Sequence, residues 1–421
     1  MTRLEGFKKL TSVDEALSIF LKTLKLKKLP VTRISLQSAL ERVLAENVVA
    51  KIDLPNFDRS AVDGYAIRAQ DSFEASQFNP KVLVLTGNEQ IGESEGKQIW
   101  TGNALPRGAD AVIMLEHTKA VDGKIYVWKP VTPSENVSKR GEDIRKGEVA
   151  LKAGTRLKSH HLGLLGALGE THVTVVRKPK VAILSTGNEL IELGHTPGFA
   201  QVIEVNRLIL SNLCLELGAE PYDLGITEDD ADKIADKIRE GLRHGDVVIT
   251  TGGTSVGYAD LVPIAVNQIG KPGVVVHGVA MRPGMPTALA VLNGKPVFVL
   301  SGNPVAAMIG FEVFARPVLL KLLGIENESR PVLKAKLSRR VSSELGRRVF
   351  LRVYAFEDEG EFFAEPIRVK GSGILSTMTK ANGYVIIPDN CELLEEGEWV
   401  LVHLFDKIGM ISEMGSITLA F

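Results

Sequence analysis

The stretch Thr250-Thr251-Gly252-Gly253-Thr254-Ser255-Val256-Gly257-Tyr258-Ala259-Asp260 lies between an apolar run that begins at Asp246 and a helical spacing from Leu261 to Ile269. Glycines let backbone N–H groups approach an anion, and hydroxyls can donate to phosphate oxygens. The loop is not a P-loop, because it lacks the Gly-Lys-Ser/Thr ending. A tight strand–helix turn with capping hydroxyls is the competing reading.

Working outward, Lys180 to Gly324 alternates short apolar runs with helical spacing. Strands are expected at Val181–Leu184, up to Ile226, at Asp246–Thr250, Val274–His277 and Val297–Leu300. Helices are expected at Asn206–Leu217, from a cap at Thr227 and Asp230 to Arg243, at Leu261–Ile269, and from Pro304 with a bend near Pro317. Continuous apolar strands between helices imply a mostly parallel sheet covered on both faces. Two further polar loops, Ser185-Thr186-Gly187-Asn188-Glu189-Leu190 and Ser301-Gly302-Asn303-Pro304, fall at strand ends, the edge where such sheets bind ligands. The carboxylates Glu189, Asp229, Asp230 and Asp260 would repel phosphate unless a hard cation such as Mg²⁺ lies between, although helix capping accounts well for Asp229 and Asp230. Arg282, in Met281-Arg282-Pro283-Gly284-Met285-Pro286, offers a planar cationic fork suited to an oxyanion.

The remainder reads as further domains. Ser12–Lys25 and Leu36–Leu44 have helical spacing, the first with a Ser12/Glu15 capping box, and Gly154–Gly169 returns to it. Pro55–Lys146 is β-rich, with strands at Lys81–Leu85, Ala111–Leu115 and Lys124–Trp128 and a hairpin signal at Asp122-Gly123. Polar turns stand out there at Asp58-Arg59-Ser60, Asp63-Gly64, Thr101-Gly102 and Arg140-Gly141-Glu142-Asp143-Ile144. Lys334–Leu337, Val349–Ala355, Tyr384–Ile387 and Trp399–Leu404 suggest a small C-terminal barrel or sandwich, and Gly371-Ser372-Gly373 reads as a turn or an anion cradle. The expected fold class is α/β plus β. Its four parts are a linking domain from 1–47 and 147–177, a β-rich domain 48–146, an α/β domain 178–326 and a C-terminal β-barrel 327–421.

Composition narrows the function. The 421 residues are 44% hydrophobic and 24% charged with a net charge of −1, ordinary globular values that give no reason to expect nucleic-acid binding. The cysteines, Cys214 and Cys391, form no CxxC pair and suggest a reducing compartment without structural zinc. His160-His161 is read as structural. The longest apolar stretch, Pro296–Phe311, is too short to span a bilayer, and the opening MTRLEGFKKL has no apolar core, so no membrane association and a cytoplasmic location are expected. Sparse glutamine beside abundant Lys, Glu and Arg hints at a thermophile.

The ordered motifs FDRSAVDGYA, TGN at Thr101, RGEDI, LSTGNEL, TTGGTSVGYAD, RPG and SGNPVAA resemble the MoeA family of molybdopterin molybdenumtransferases, which includes the C-terminal domain of gephyrin. The resemblance runs over nearly the whole chain. It implies four domains, one of them a MogA-like α/β molybdopterin-binding domain, and a homodimer with its active site between subunits. The implied reaction inserts molybdate, or tungstate, into adenylyl-molybdopterin with Mg²⁺ and releases AMP.

Carried over by position, the family's catalytic roles fall on Asp63, Asp143 and Arg282, and its metal ligands on Glu189, Asp229 and Asp260. Thr101, Arg352 and Ser372 are likewise carried over as substrate contacts, and the polar loops read above add Thr250, Gly252, Gly253, Thr254, Ser255, Gly257, Ser301, Gly302, Asn303 and Pro304. The chain departs from the family at Met285, where a second lysine is common, and at Ser301, where proline is common. An adenylyltransferase acting on molybdopterin, and a catalytically weak gephyrin-like scaffold, are the competing functions.

Overall fold

The computed structural model describes residues 10–253, 260–326, 328–368 and 373–410. Contacts divide the chain into two units, residues 32–175 and the remainder.

In the larger unit, α1 (Val13–Thr23) begins at Ser12, whose hydroxyl accepts from the Glu15 N–H at 3.3 Å. The sheet is built from β1 (Lys180–Thr186), β2 (Glu220–Thr227), β3 (Val247–Thr251), β4 (Pro272–His277), β5 (Ala288–Leu292) and β6 (Lys295–Leu300). Its spatial order is β2-β1-β3-β6-β5-β4. The pairs β1–β2, β1–β3 and β3–β6 are parallel, and β5 and β4 add an antiparallel margin.

Alternate residues of these strands face opposite ways. Ala182, Leu184, Val248, Val297 and Val299 pack with Ile234 and Ile238 of α3 (Ala231–His244) and with Val262 and Val266 of α4 (Leu261–Ile269). The alternate set Val181, Ile183, Val247, Ile249 and Phe298 is equally buried, and Phe20 of α1 meets Phe298 edge-on at 5.3 Å. The sheet is thus buried on both faces.

The register positions the site. Ser185 lies opposite Thr251, and Thr251 opposite Leu300, so the chain leaves three parallel strands side by side. Thr186 is likewise opposite Thr227, which brings the turn before α3 to the same edge.

After β6 the helix runs as α5 (Pro304–Gly310), a π-helical turn at Phe311–Ala315, and α6 (Arg316–Leu322). The bend expected near Pro317 takes this form, since a wider turn accommodates the proline's missing N–H and its ring. The C-terminal strands β7 (Val332–Leu337), β8 (Arg348–Asp358), β9 (Glu361–Arg368), β10 (Gly383–Ile387) and β11 (Trp399–Leu404) pair in the order β8-β9-β7-β11-β10. Pairing of β10 with β8 closes this path into a barrel around Leu337, Leu351, Val353, Val385 and Val402.

The unit of residues 32–175 contains a six-stranded sheet whose two central strands are Glu95–Ile99 and Lys81–Leu85, with Ile67, Leu83, Ile113 and Ile125 in its core. The Asp122-Gly123 hairpin is present, both residues having positive φ, 49° and 74°. A helix at Ser159–Ala167 shares a second core of Leu44, Leu157, Leu165 and Val175.

Two expectations are corrected. Leu36–Leu44 forms only a 3₁₀ turn at Leu36–Ser38, because its apolar residues reach the Leu157 core from an irregular loop tied to Thr171 and Leu157 carbonyls. The first helix belongs with the α/β sheet, not with residues 36–44, because Phe20 is fully buried against Phe298 and Thr11 bridges to Val279. A Phe→Ala truncation in a core typically costs about 3–5 kcal/mol. Phe20→Ala should therefore destabilise the larger unit by about that amount in urea unfolding, and a loss under about 1 kcal/mol would show that α1 is not part of its core.

Candidate functional site

Three strand ends in one row make a cavity of about 850 Å³, within the common range for small-molecule sites of about 300–1,000 Å³. Its walls include Thr186 and Glu189 from the first loop, Thr251 through Gly253 from the second, and Ser301 through Pro304 from the third. Asp229 and Gly373 also face it.

Glycine is required in the second loop. Gly252 has φ 86°, and a Cβ there would lie 2.2 Å from the Thr186 carbonyl oxygen. At Gly253, with φ 61°, a Cβ would press on Val262 at 2.7 Å. The backbone passes this close only without side chains, which leaves its N–H groups available to a ligand.

The cavity rests on a buried charge network that the sequence reading did not single out. Glu204 is 3% exposed and Arg207 is 7% exposed. Glu204 Oε1 accepts from the Ser185 hydroxyl at 2.8 Å and from the Arg207 backbone N–H at 3.0 Å, and its Oε2 accepts from Arg207 Nε at 3.0 Å. Arg207 also grips both Asp223 oxygens from Nη1, at 2.8 and 2.9 Å, and reaches Glu192 from Nη2. Burial alone would lower the Arg207 pKa, yet hydrogen bonds to Asp223 and Glu192 outweigh it and the guanidinium is held above its ordinary value. Ser185 Oγ and Thr251 Oγ1 stand 2.9 Å apart, so the network joins the first two loops. Asn206 donates from Nδ2 to the Gly302 carbonyl at 2.8 Å and ties in the third. The signal available in the sequence was Glu204-x-Asn206-Arg207 directly after the apolar pair Val202-Ile203.

Of the expected substrate contacts, Gly252, Gly253, Ser301, Gly302, Asn303 and Pro304 line the cavity. Thr250 is corrected: it is fully buried in β3, with its hydroxyl 3.5 Å from the Phe298 carbonyl, and the strand continues one residue, so Thr251 faces the cavity. Arg352 is 3% exposed in barrel strand β8, opposite Tyr384. Thr254, Ser255, Gly257 and Ser372 lie outside the described residues.

Of the expected metal ligands, Glu189 and Asp229 are exposed and share the cavity wall. Asp260 precedes the lining residue Leu261, and its carboxylate meets His277 Nε2 at 3.1 Å. Burial raises its pKa against the opposing pull of His277, and its Oδ1 is buried without a hydrogen-bond partner among the described residues. Among the described residues no group of three His, Cys, Asp or Glu side chains gathers around one point. The donor set is hard oxygen, sparse and beside a phosphate-type loop, which fits Mg²⁺ held partly by a ligand's own phosphates.

Arg282 donates from Nη1 to Glu344 Oε1 at 3.0 Å. Asp63, Thr101 and Asp143 belong to residues 32–175. There Asp63 Oδ1 accepts from the Thr101 N–H and hydroxyl, each at 2.7 Å, and these bonds, the backbone one foremost, hold its pKa below the ordinary value. The Asp58 and Arg140 motifs are clipped together, since Asp58 Oδ1 accepts from the Arg140 N–H at 2.8 Å and Asp53 pairs with Arg140 Nε at 2.6 Å. Asp143 donates its backbone N–H to the Leu54 carbonyl at 3.1 Å.

The fold and site define a multidomain protein with a ligand-binding α/β sheet edge. The family descriptions "MoeA N-terminal region (domain I and II)", "Probable molybdopterin binding domain" and "MoeA C-terminal region (domain IV)" match residues 11–169, 182–321 and 334–405. The molybdopterin molybdenumtransferase of Bacillus subtilis is 35% identical over 88% of this chain and 89% of its own length. A Methanocaldococcus jannaschii protein assigned by name to molybdopterin biosynthesis is 39% identical over 89% and 92%. The solved molybdopterin biosynthesis MoeA protein of Pyrococcus horikoshii superposes with a TM-score of 0.82 at 36% identity, covering 94% of this chain and 100% of that one. The chain belongs to the MoeA family, a transferase family of molybdenum-cofactor biosynthesis.

Because its folded pKa is depressed, ionised Asp63 stabilises the fold above its unfolded pKa, and that contribution is lost as pH falls through the folded value. Thr101→Val removes one of the two bonds and should move the Asp63 pKa part of the way up to the ordinary carboxylate value in a ¹³C NMR titration. An unmoved titration would show that the hydroxyl contributes nothing.

Proposed function

We propose that this protein inserts molybdate, or tungstate, into adenylyl-molybdopterin and releases AMP. The observation that carries this is the single cavity onto which the three glycine and hydroxyl loops open, with Glu189 and Asp229 on its wall. The Gly252 and Gly253 backbone N–H groups receive phosphate oxygens, and Thr251 and Ser301 flank them. Glu189 and Asp229 would hold Mg²⁺, with Asp260 as a further oxygen donor. Mg²⁺, when bound, neutralises charge on the phosphoanhydride and so favours departure of AMP. Arg282 is the cation that receives the oxyanion, and its pairing with Glu344 keeps the guanidinium oriented.

The working form is a cytoplasmic homodimer with its active site between subunits, as the family resemblance implies, and Asp63 and Asp143 are among its catalytic residues. No described helix is long and apolar enough to cross a membrane.

Incubation with adenylyl-molybdopterin, Mg²⁺ and molybdate or tungstate should release AMP only when oxyanion and cation are both present. Turnover of ATP in place of oxyanion-dependent AMP release would make the protein an adenylyltransferase, and no turnover would leave it a scaffold. A hydrogen bond to a charged group is worth about 1.5–3 kcal/mol. Arg282→Ala should accordingly weaken oxyanion binding about tenfold or more in calorimetry. Glu344→Gln, which lifts a competing negative charge from Arg282, should tighten it. Unchanged oxyanion affinity in both variants would remove Arg282 from the site.

A further inference from the structure

Asn206 is the first residue of α2 (Asn206–Glu216), lies on the cavity wall and is 7% exposed. Its Nδ2 is committed to the Gly302 carbonyl at 2.8 Å. Its Oδ1 is buried and has no hydrogen-bond partner among the described residues. A buried acceptor left unmade is costly, and one that has no partner among the described residues and lies on a cavity wall is placed to take its partner from a bound ligand. Thr186, 2% exposed on the same wall, has an Oγ1 that is likewise without a partner among the described residues. It sits under the glycine pair, 3.1 Å and 2.9 Å from where Cβ atoms on Gly252 and Gly253 would stand.

The chemistry of the orphan selects its partner. A carboxamide oxygen only accepts, whereas an ionised phosphate or molybdate only accepts too, so neither can satisfy it. An N–H or O–H donor of the ligand satisfies it; a hard cation would serve it too, but Glu189 and Asp229 on the same wall offer such a cation charged oxygens. We propose that Asn206 is a substrate-reading residue whose Oδ1 accepts a hydrogen bond from an N–H or O–H group of the bound pterin adenylate, while its Nδ2 keeps the Ser301–Pro304 loop closed on the same ligand. This rests on the proposed function, because it takes the cavity as the pterin-adenylate site.

The arrangement explains why a carboxamide occupies this place. The amide reads loop and ligand with its two ends, and the rigid turn between Glu204 and Arg207 fixes its direction. Aspartate would keep the acceptor but set a second oxygen against the Gly302 carbonyl. Leucine would keep the volume and lose both bonds. The donor resides either on the pterin half or on the adenylate half of the ligand, and the two halves are separable.

The experiment measures binding of molybdopterin alone and of AMP alone to the full chain by calorimetry, for wild type, Asn206→Leu and Asn206→Asp, each with a thermal melt. The proposal expects Asn206→Leu to weaken one of the two ligands by about tenfold or more, and the other by little, with the affected ligand naming the half that carries the donor. Asn206→Asp should recover part of that selective loss, because an acceptor is restored. Equal weakening of both ligands in step with a lowered melting temperature would overturn it in favour of a purely loop-holding role. Unchanged affinity for both would also overturn it. If wild type binds neither ligand, the failure lies with the proposed function; if wild type binds both and the variants do not discriminate, it lies with Asn206.

Discussion

A carboxylate that is 3% exposed must find compensation or lose its charge. Glu204 finds it in Arg207, and much else in the site follows from that one pair. The guanidinium can lie in the interior only because it makes four hydrogen bonds to carboxylates, and those carboxylates come from separate segments: Glu192 beyond the first loop, Glu204 before α2, and Asp223 on β2. Ser185 extends the network to the ends of β1 and β3 through Thr251. Removing one partner of a buried pair typically costs about 3–5 kcal/mol, because the other is left uncompensated. The loops around the cavity are therefore set by a network with little tolerance for rearrangement, which suits a site that works by holding charged groups in place.

What the sequence made legible is what local pattern and topology determine together. Parallel strands put their carboxyl ends on one edge, so three polar loops following three apolar runs had to meet, and Thr186–Glu189, Thr251–Gly253 and Ser301–Pro304 do share a cavity. What remained hidden depends on tertiary burial. Glu204 and Arg207, three residues apart, look in isolation like an ordinary surface ion pair. Thr250 and Thr251 exchange roles because β3 runs one residue further than its apolar pattern, and alternation then reverses which threonine faces the ligand. The strand β5 was missed although Asn293-Gly294, both at positive φ, is a hairpin signal between it and β6. The barrel strand β9 was missed because its alternation is interrupted by Pro366.

The two units carry different parts of the polar set. Residues 32–175 hold Asp63 against Thr101 and clip the Asp58 motif to the Arg140 turn, so their acidic side chains are oriented before any ligand arrives. The larger unit supplies the glycine loops, the cavity carboxylates and Arg282. In both, backbone N–H groups and short charge-assisted bonds fix the side chains, and preorganised charge of this kind is effective in catalysis because it need not reorient during the reaction.

The central claim is that the edge formed by β1, β3 and β6 is where the pterin adenylate binds. A crystal structure of the protein soaked with adenylyl-molybdopterin tests it most directly. The account predicts phosphate oxygens at the Gly252 and Gly253 backbone N–H groups, with the ligand enclosed by the Thr186 and Ser301 loops. Ligand density elsewhere, such as the barrel groove beside Arg330 and Phe405, with the three-loop cavity left empty, would contradict it.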